Sequence, residues 1–133
     1  KGSVVNLERP LSFGDPVDGH FVQWHVDARG KVVAVRDGKR GRMLTISIPR
    51  RLMRFVVPQG SISVNGASLT VAETGTTACT VALVPHTLRN SNLGGLARGD
   101  LVNIEIDMLA RYRGAEKRAT VGRNAKKRAP EKR

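Results

Sequence analysis

A chain of 133 residues, 40% of them hydrophobic, is long enough for one domain with a real core, and aromatics at 4% leave Val, Ile, Leu and Ala to fill it. The net charge is +12, the single cysteine, Cys79, excludes an internal disulfide, and no stretch approaches the roughly 18–20 apolar residues of a membrane span. With no signal peptide in view, the composition points to a protein with no membrane partner in a reducing compartment: the cytoplasm, or the interior of a plastid or mitochondrion in a eukaryote.

In chain order, His20–Asp27 (HFVQWHVD) alternates in character and predicts a strand, with Gly30 in the turn that follows. Lys31–Arg36 predicts a second strand, ending at the Asp37–Gly38 turn signal. Arg42–Pro49 alternates and stops at its proline, and Arg50–Val57 reads as a short helix or turn closed by Pro58. Ser61–Asn65 and Ser68–Glu73 are short strands around Asn65–Gly66. Ala78–Val84 is another strand, stopped by Pro85, and Thr87–Leu96 reads as a short helix with Gly94–Gly95 near its end. Leu101–Leu109 is the last strand. Six or seven short strands without a βαβ rhythm predict an all-β antiparallel barrel or sandwich.

One internal repeat organises the chain. Residues 1–11 (KGSVVNLERPL) align without gaps on residues 98–108 (RGDLVNIEIDM), pairing Gly2 with Gly99, Val5 with Val102, Asn6 with Asn103 and Glu8 with Glu105. A final strand thus stands at both ends of the chain, which predicts a tandem of two similar domains with only the second complete here. Lys1 is not an initiator methionine, as expected of a processed product or part of something longer.

The charge is uneven. Residues 1–109 hold 13 basic against 9 acidic side chains, whereas residues 110–133 hold 10 against 2. Such a tail either stays solvated or neutralises phosphates, with Arg111, Arg113, Lys117, Arg118, Arg123, Lys126, Lys127 and Arg128 as the RNA contacts in the second case.

Four blocks carry a family resemblance: Val5–Asp27, Gly60–Val71 (GSISVNGASLTV), Leu83–Asp100 (LVPHTLRNSNLGGLARGD) and Val102–Tyr112 (VNIEIDMLARY). In this order they resemble successive blocks of riboflavin synthase, over roughly residues 1–112. The resemblance implies a six-stranded antiparallel Greek-key barrel over residues 12–112, preceded by the last strand of another barrel in 1–11 and followed by a basic extension in 113–133. It implies that two 6,7-dimethyl-8-ribityllumazine molecules exchange a four-carbon unit, giving riboflavin and a ribitylamino-pyrimidinedione. Neither a metal nor a redox cofactor is required, lumazine or flavin being the ligand. The partner is a second lumazine-binding barrel, because the family's site forms between barrels, so the isolated chain is expected not to turn over.

The chemistry narrows the residues. The C7 methyl of the lumazine is acidic because the ring delocalises the anion, so a base and fixed polar groups are needed. His20 and His25 lie five apart, on opposite faces of a regular strand, and His25, in the HVD block beside Val26, is the better base. Ser68 and Thr70 share a strand face opposite Leu69 and offer hydroxyls to the pteridine. The resemblance places Leu83, Pro85, His86 and Thr87 in the ligand wall and gives Asp107 a part at the catalytic site or ribityl chain, with Glu105 on the same strand face. Three positions depart from the family's pattern. Trp24 replaces a residue that is usually glycine and would fill the pocket or stack in it, and Gln59 stands where lysine is frequent. The apolar helix that assembles a trimer is replaced by the basic tail. These departures support a second reading, a non-catalytic scaffold of riboflavin synthase descent whose tail binds RNA in a large assembly such as an organellar ribosome.

Overall fold

The computed structural model describes residues 2–39 and 41–113. Six strands run in chain order: β1 (Ala28–Gly38), β2 (Gly41–Ser47), β3 (Ser61–Val64), β4 (Ala67–Thr74), β5 (Ala78–Leu83) and β6 (Leu101–Ile106). All pairings are antiparallel, and the order β1-β2-β5-β4-β3-β6 closes because β6 also pairs β1. Strands β3, β4 and β5 are successive neighbours and β6 returns beside β3, which is the Greek-key arrangement. Short helices α1 (Arg50–Met53) and α2 (Pro85–Asn90) and a 3₁₀ turn at Asn92–Gly95 bridge the long connections.

Alternation builds the core. On β2, Leu44 and Ile46 point inward while Thr45 pairs outside with Thr80 of β5, their hydroxyls 3.0 Å apart. On β4, Leu69 and Val71 are inside and Ser68 and Thr70 outside; on β6, Val102, Ile104 and Ile106 are inside. The interior is aliphatic throughout, with Val32, Ile62, Val64 and Val81 fully buried beside them. The Asn65–Gly66 turn has positive φ at both residues (49° and 83°), the type I′ pattern that matches strand twist.

Several expected boundaries move, each for an identifiable reason. His20–Asp27 is not a strand: Trp24 takes φ 63°, which breaks the extended run, and the first rung to β6 is made by Asp27 N–H to the Ile104 carbonyl at 2.8 Å. Gly30 lies within β1 rather than in a turn. A Cβ there would come within 2.7 Å of the Ser47 carbonyl oxygen and 2.8 Å of Ile46 Cγ2, so the glycine marks close packing. The second and third predicted strands start or stop a few residues differently, Pro49 serving as N-cap of α1. The predicted helix over 87–96 is two pieces, with Pro85 at the first turn of α2. The last strand ends at Ile106, because Asp107 Oδ1 accepts the Leu109 N–H (2.9 Å) and residues 108–113 turn helical.

Cys79 is 1% exposed on β5, and burial pushes its thiol pKa to about 11. Its reaction with a thiol reagent therefore reports opening of the barrel. Ile104→Ala, at the strand that closes the cylinder, is expected to cost about 2–5 kcal/mol. Cys79 labelling in native buffer should accelerate correspondingly; an unchanged labelling rate would show that Ile104 does not hold the closure.

Candidate functional site

The outer wall of β3, β4 and β6 carries polar side chains in register. Ser63 on β3 faces Ser68 on β4 and Glu105 on β6, and Ser61 faces Thr70. Ser63 and Glu105 are 1% and 6% exposed although they point away from the core, because residues 19–27 lie over them as an arm. Several contacts hold that arm. His20 Nδ1 and Ser68 Oγ share a hydrogen bond of 2.7 Å, the Gln23 N–H donates to Glu105 Oε1 at 2.7 Å, and Asp27 Oδ2 accepts the Ile106 N–H at 2.9 Å. Asp27 also takes both its oxygens to Arg111, at 2.7 and 2.8 Å. Gly19, at φ 88°, lets the arm descend on the wall, since a Cβ there would collide with the Ser68 side chain.

His20 is the chemically distinctive group. Its Nε2 is buried without a partner among the described residues. Burial lowers its pKa below the ordinary 6.5, while the carboxylates of Asp107 and then Glu105 pull it part of the way back. A neutral imidazole results, with one nitrogen engaged by a serine hydroxyl and the other uncommitted, on a wall bearing two acids. Such a nitrogen can accept or deliver a proton at neutral pH.

Beyond this cluster opens a cleft of about 280 Å³ between the N-terminal segment and the barrel. Val5 and Asn6 form one side; Trp24, Val26, Ser63, Asn103 and Glu105 form much of the other. The Trp24 indole lies over Gly66, where any Cβ would collide with it. Its φ of 63° is glycine's natural territory, which gives the physical reason that a glycine suits this position in the resembling family. Gln59 has the same φ of 63° and is exposed, its N–H bonded to the Val71 carbonyl at 2.8 Å.

The structure brings His20, Ser68 and the two acids together, and Trp24, Val26 and Glu105 around the cleft. It leaves His25 exposed, with no hydrogen bond among the described residues. Leu69 and Leu83 turn their side chains into the core at 6% and 1% exposure, whereas Pro85, His86 and Thr87 begin α2 at the surface or half-buried. Arg113 is exposed, and the predicted RNA contacts Lys117, Arg118, Arg123, Lys126, Lys127 and Arg128 lie outside the described residues. Sequence reasoning passed over Ser63, Gln23, Asn65 and Asn92. Ser63 carries a usable signal, a polar residue between Ile62 and Val64; Gln23 acts through its main chain and leaves none.

Comparisons with known proteins bear on the family and the fold. A family model described as "Lumazine binding domain" matches residues 23–107. Riboflavin synthase from Mycobacterium tuberculosis is 42% identical over 114 residues, covering 84% of this chain and 57% of the relative. The same enzyme from Actinobacillus pleuropneumoniae is 34% identical over 110 residues, covering 83% and 51%. The chain thus spans about half the length of the curated relatives it matches. Among solved structures, LumP complexed with riboflavin superposes with a TM-score of 0.65 at 21% identity, over 71% of this chain and 51% of that one. LumP complexed with 6,7-dimethyl-8-(1'-D-ribityl) lumazine gives 0.59 at 22%, over 62% and 46%. These matches favour the lumazine-binding reading over the RNA-binding scaffold.

Two outcomes follow. Gln59→Gly should stabilise the barrel by about 0.5–1 kcal/mol in chemical denaturation, because a positive φ costs a glycine nothing and the lost side chain is exposed. His20 binds a proton more weakly folded than unfolded, so between pH 6.5 and its lowered native value the unfolded chain takes up more protons. Stability should therefore be full above pH 6.5 and decline as the pH falls through that window. His20→Gln should flatten this part of the melting-temperature profile; an unaltered slope would assign the decline to other groups.

Proposed function

The chain belongs to the lumazine-binding domain family, and from that premise we propose that it is the second lumazine-binding barrel of a riboflavin synthase. The observation that carries the proposal is the His20–Ser68 hydrogen bond on a wall flanked by Asp107 and Glu105. Ser68 and Thr70 offer hydroxyls to the ring carbonyls and nitrogens of a ribityllumazine laid along β4. His20 exchanges a proton with the ligand, taking the base role that its place in the HVD block gave to His25, and His25 remains a peripheral contact. The two acids keep the imidazole basic enough for that exchange. They also offer acceptors to the ribityl hydroxyls.

The full reaction needs two lumazines face to face, one giving up four carbons and the other gaining them. One barrel presents one such wall. A second lumazine-binding barrel, from the same or another subunit, supplies the other, so the 133-residue chain binds ligand without turning it over. The ligand itself is the reactant, and the chain's contribution is positioning and proton transfer.

Binding of riboflavin or 6,7-dimethyl-8-ribityllumazine, followed by ligand fluorescence, tests this. Ser68→Ala and Thr70→Ala should each weaken affinity by about 3- to 10-fold, the worth of a neutral hydrogen bond. His20→Gln should weaken affinity less than it slows turnover in the two-barrel enzyme. Affinity unaffected by both hydroxyl deletions would move the ligand off this wall.

A further inference from the structure

Asn6 and Asn103, paired by the internal repeat, flank the same cleft, and their hydrogen bonding is complementary. The Asn6 side chain is plugged into this barrel. Its Nδ2 donates to the Asn65 carbonyl (2.9 Å) and to Asn92 Oδ1 (3.1 Å), and its Oδ1 accepts the Asn92 N–H (2.7 Å). The Asn6 main chain, by contrast, has no protein partner among the described residues. For Asn103 the halves are reversed. Its N–H donates to Asn65 Oδ1 (2.8 Å) and its carbonyl accepts the Asn65 N–H (2.9 Å), while its side-chain amide has no partner among the described residues.

The neighbouring side chains tell the same story. Val102 and Ile104 of β6 are 1% and 0% exposed inside the barrel; their repeat counterparts Val5 and Leu7 are 64% and 89% exposed. Residues 2–11 carry the inward pattern of a closing strand, yet pair with no strand here. What Asn6 and its neighbours lack is what Asn103 and its neighbours receive from their own barrel.

We propose that Asn103 is a reciprocal plug: its amide enters the counterpart of the Asn65–Asn92 socket on a preceding barrel of the same type, whose last strand is residues 1–11. The inference rests on reading the chain as the second of two barrels. Contacts across a two-fold are mutual, so a strand whose asparagine enters the neighbour's socket implies that the neighbour's equivalent asparagine does the same in return. Both repeat segments line one cleft, Val5 and Asn6 from the first and Asn103, Ile104 and Glu105 from the second, as such an axis between them requires. The cleft, with Trp24 and Val26 on its wall, is then the seam between barrels, and its occupant is the preceding barrel's matching surface.

The test uses the full-length two-barrel protein and the 133-residue chain side by side, with Asn6→Leu, Asn103→Leu and Asn103→Ala. In the 133-residue chain both Asn103 variants should melt as wild type, since only the main chain of that residue pairs here, whereas Asn6→Leu should speed exchange of the Asn92 amide hydrogen, which Asn6 Oδ1 accepts in the wild type. In the full-length protein, substitution at either asparagine should speed exchange along the cleft to a similar degree, about tenfold or more. It should also enlarge the scattering radius as the barrels separate. Loosening by Asn6→Leu with wild-type exchange in both Asn103 variants would overturn the reciprocity while leaving the two-barrel reading intact. A full-length protein whose region before Lys1 forms no such barrel would overturn both.

Discussion

Closure of the cylinder by β6 is the constraint on which the rest depends. This six-residue strand pairs β1 on one edge and β3 on the other, so it converts an open sheet into a barrel without edges. Its inward residues, Val102, Ile104 and Ile106, complete a core with almost no aromatic content, where aliphatic shape must do all the filling. Its outward residues do different work. Glu105 receives the arm through the Gln23 N–H, and Asn103 clamps the Asn65 turn through its main chain. Fold and site are thus two faces of one strand.

The arm over residues 19–27 changes the character of the barrel exterior beneath it. Without it, Ser63 and Glu105 would be solvated wall residues. With it, they are covered, and His20 is held between a serine and two acids in surroundings that disfavour its protonated form. Burial raises the stakes of each polar contact, since an unsatisfied group there has no water to fall back on. The uncommitted Nε2 of His20 is the group in this position.

Trp24 shows how one residue type departs from a pattern while the backbone keeps it. The chain passes this point at φ 63°, a conformation natural to glycine, and the tryptophan adopts it nonetheless. Its indole rests on Gly66, whose missing Cβ leaves the necessary room, so packing offsets backbone strain. The indole lines the cleft together with Ser63, Asn65 and Glu105.

Alternating apolar residues in β2, β4 and β6, the Asn65–Gly66 turn and the proline stops determined by themselves that the chain is an antiparallel barrel or sandwich, because side-chain period and turn chemistry are local properties, while closure into a barrel was implied by the family resemblance and decided by the pairing of β6 with β1. The repeat of residues 1–11 in 98–108 was equally open to reading, as was the face shared by Ser68 and Thr70. Only the tertiary structure decided that Gly30 sits inside a strand, because its reason is the approach of Ser47 and Ile46 from elsewhere in the chain. Only the tertiary structure chose His20 over His25 as the partner of Ser68, 48 residues away. Spacing along a strand presumes a strand, and a single positive φ at Trp24 removes that premise, re-aiming each side chain of the arm by a rotation that no pattern of residue types records.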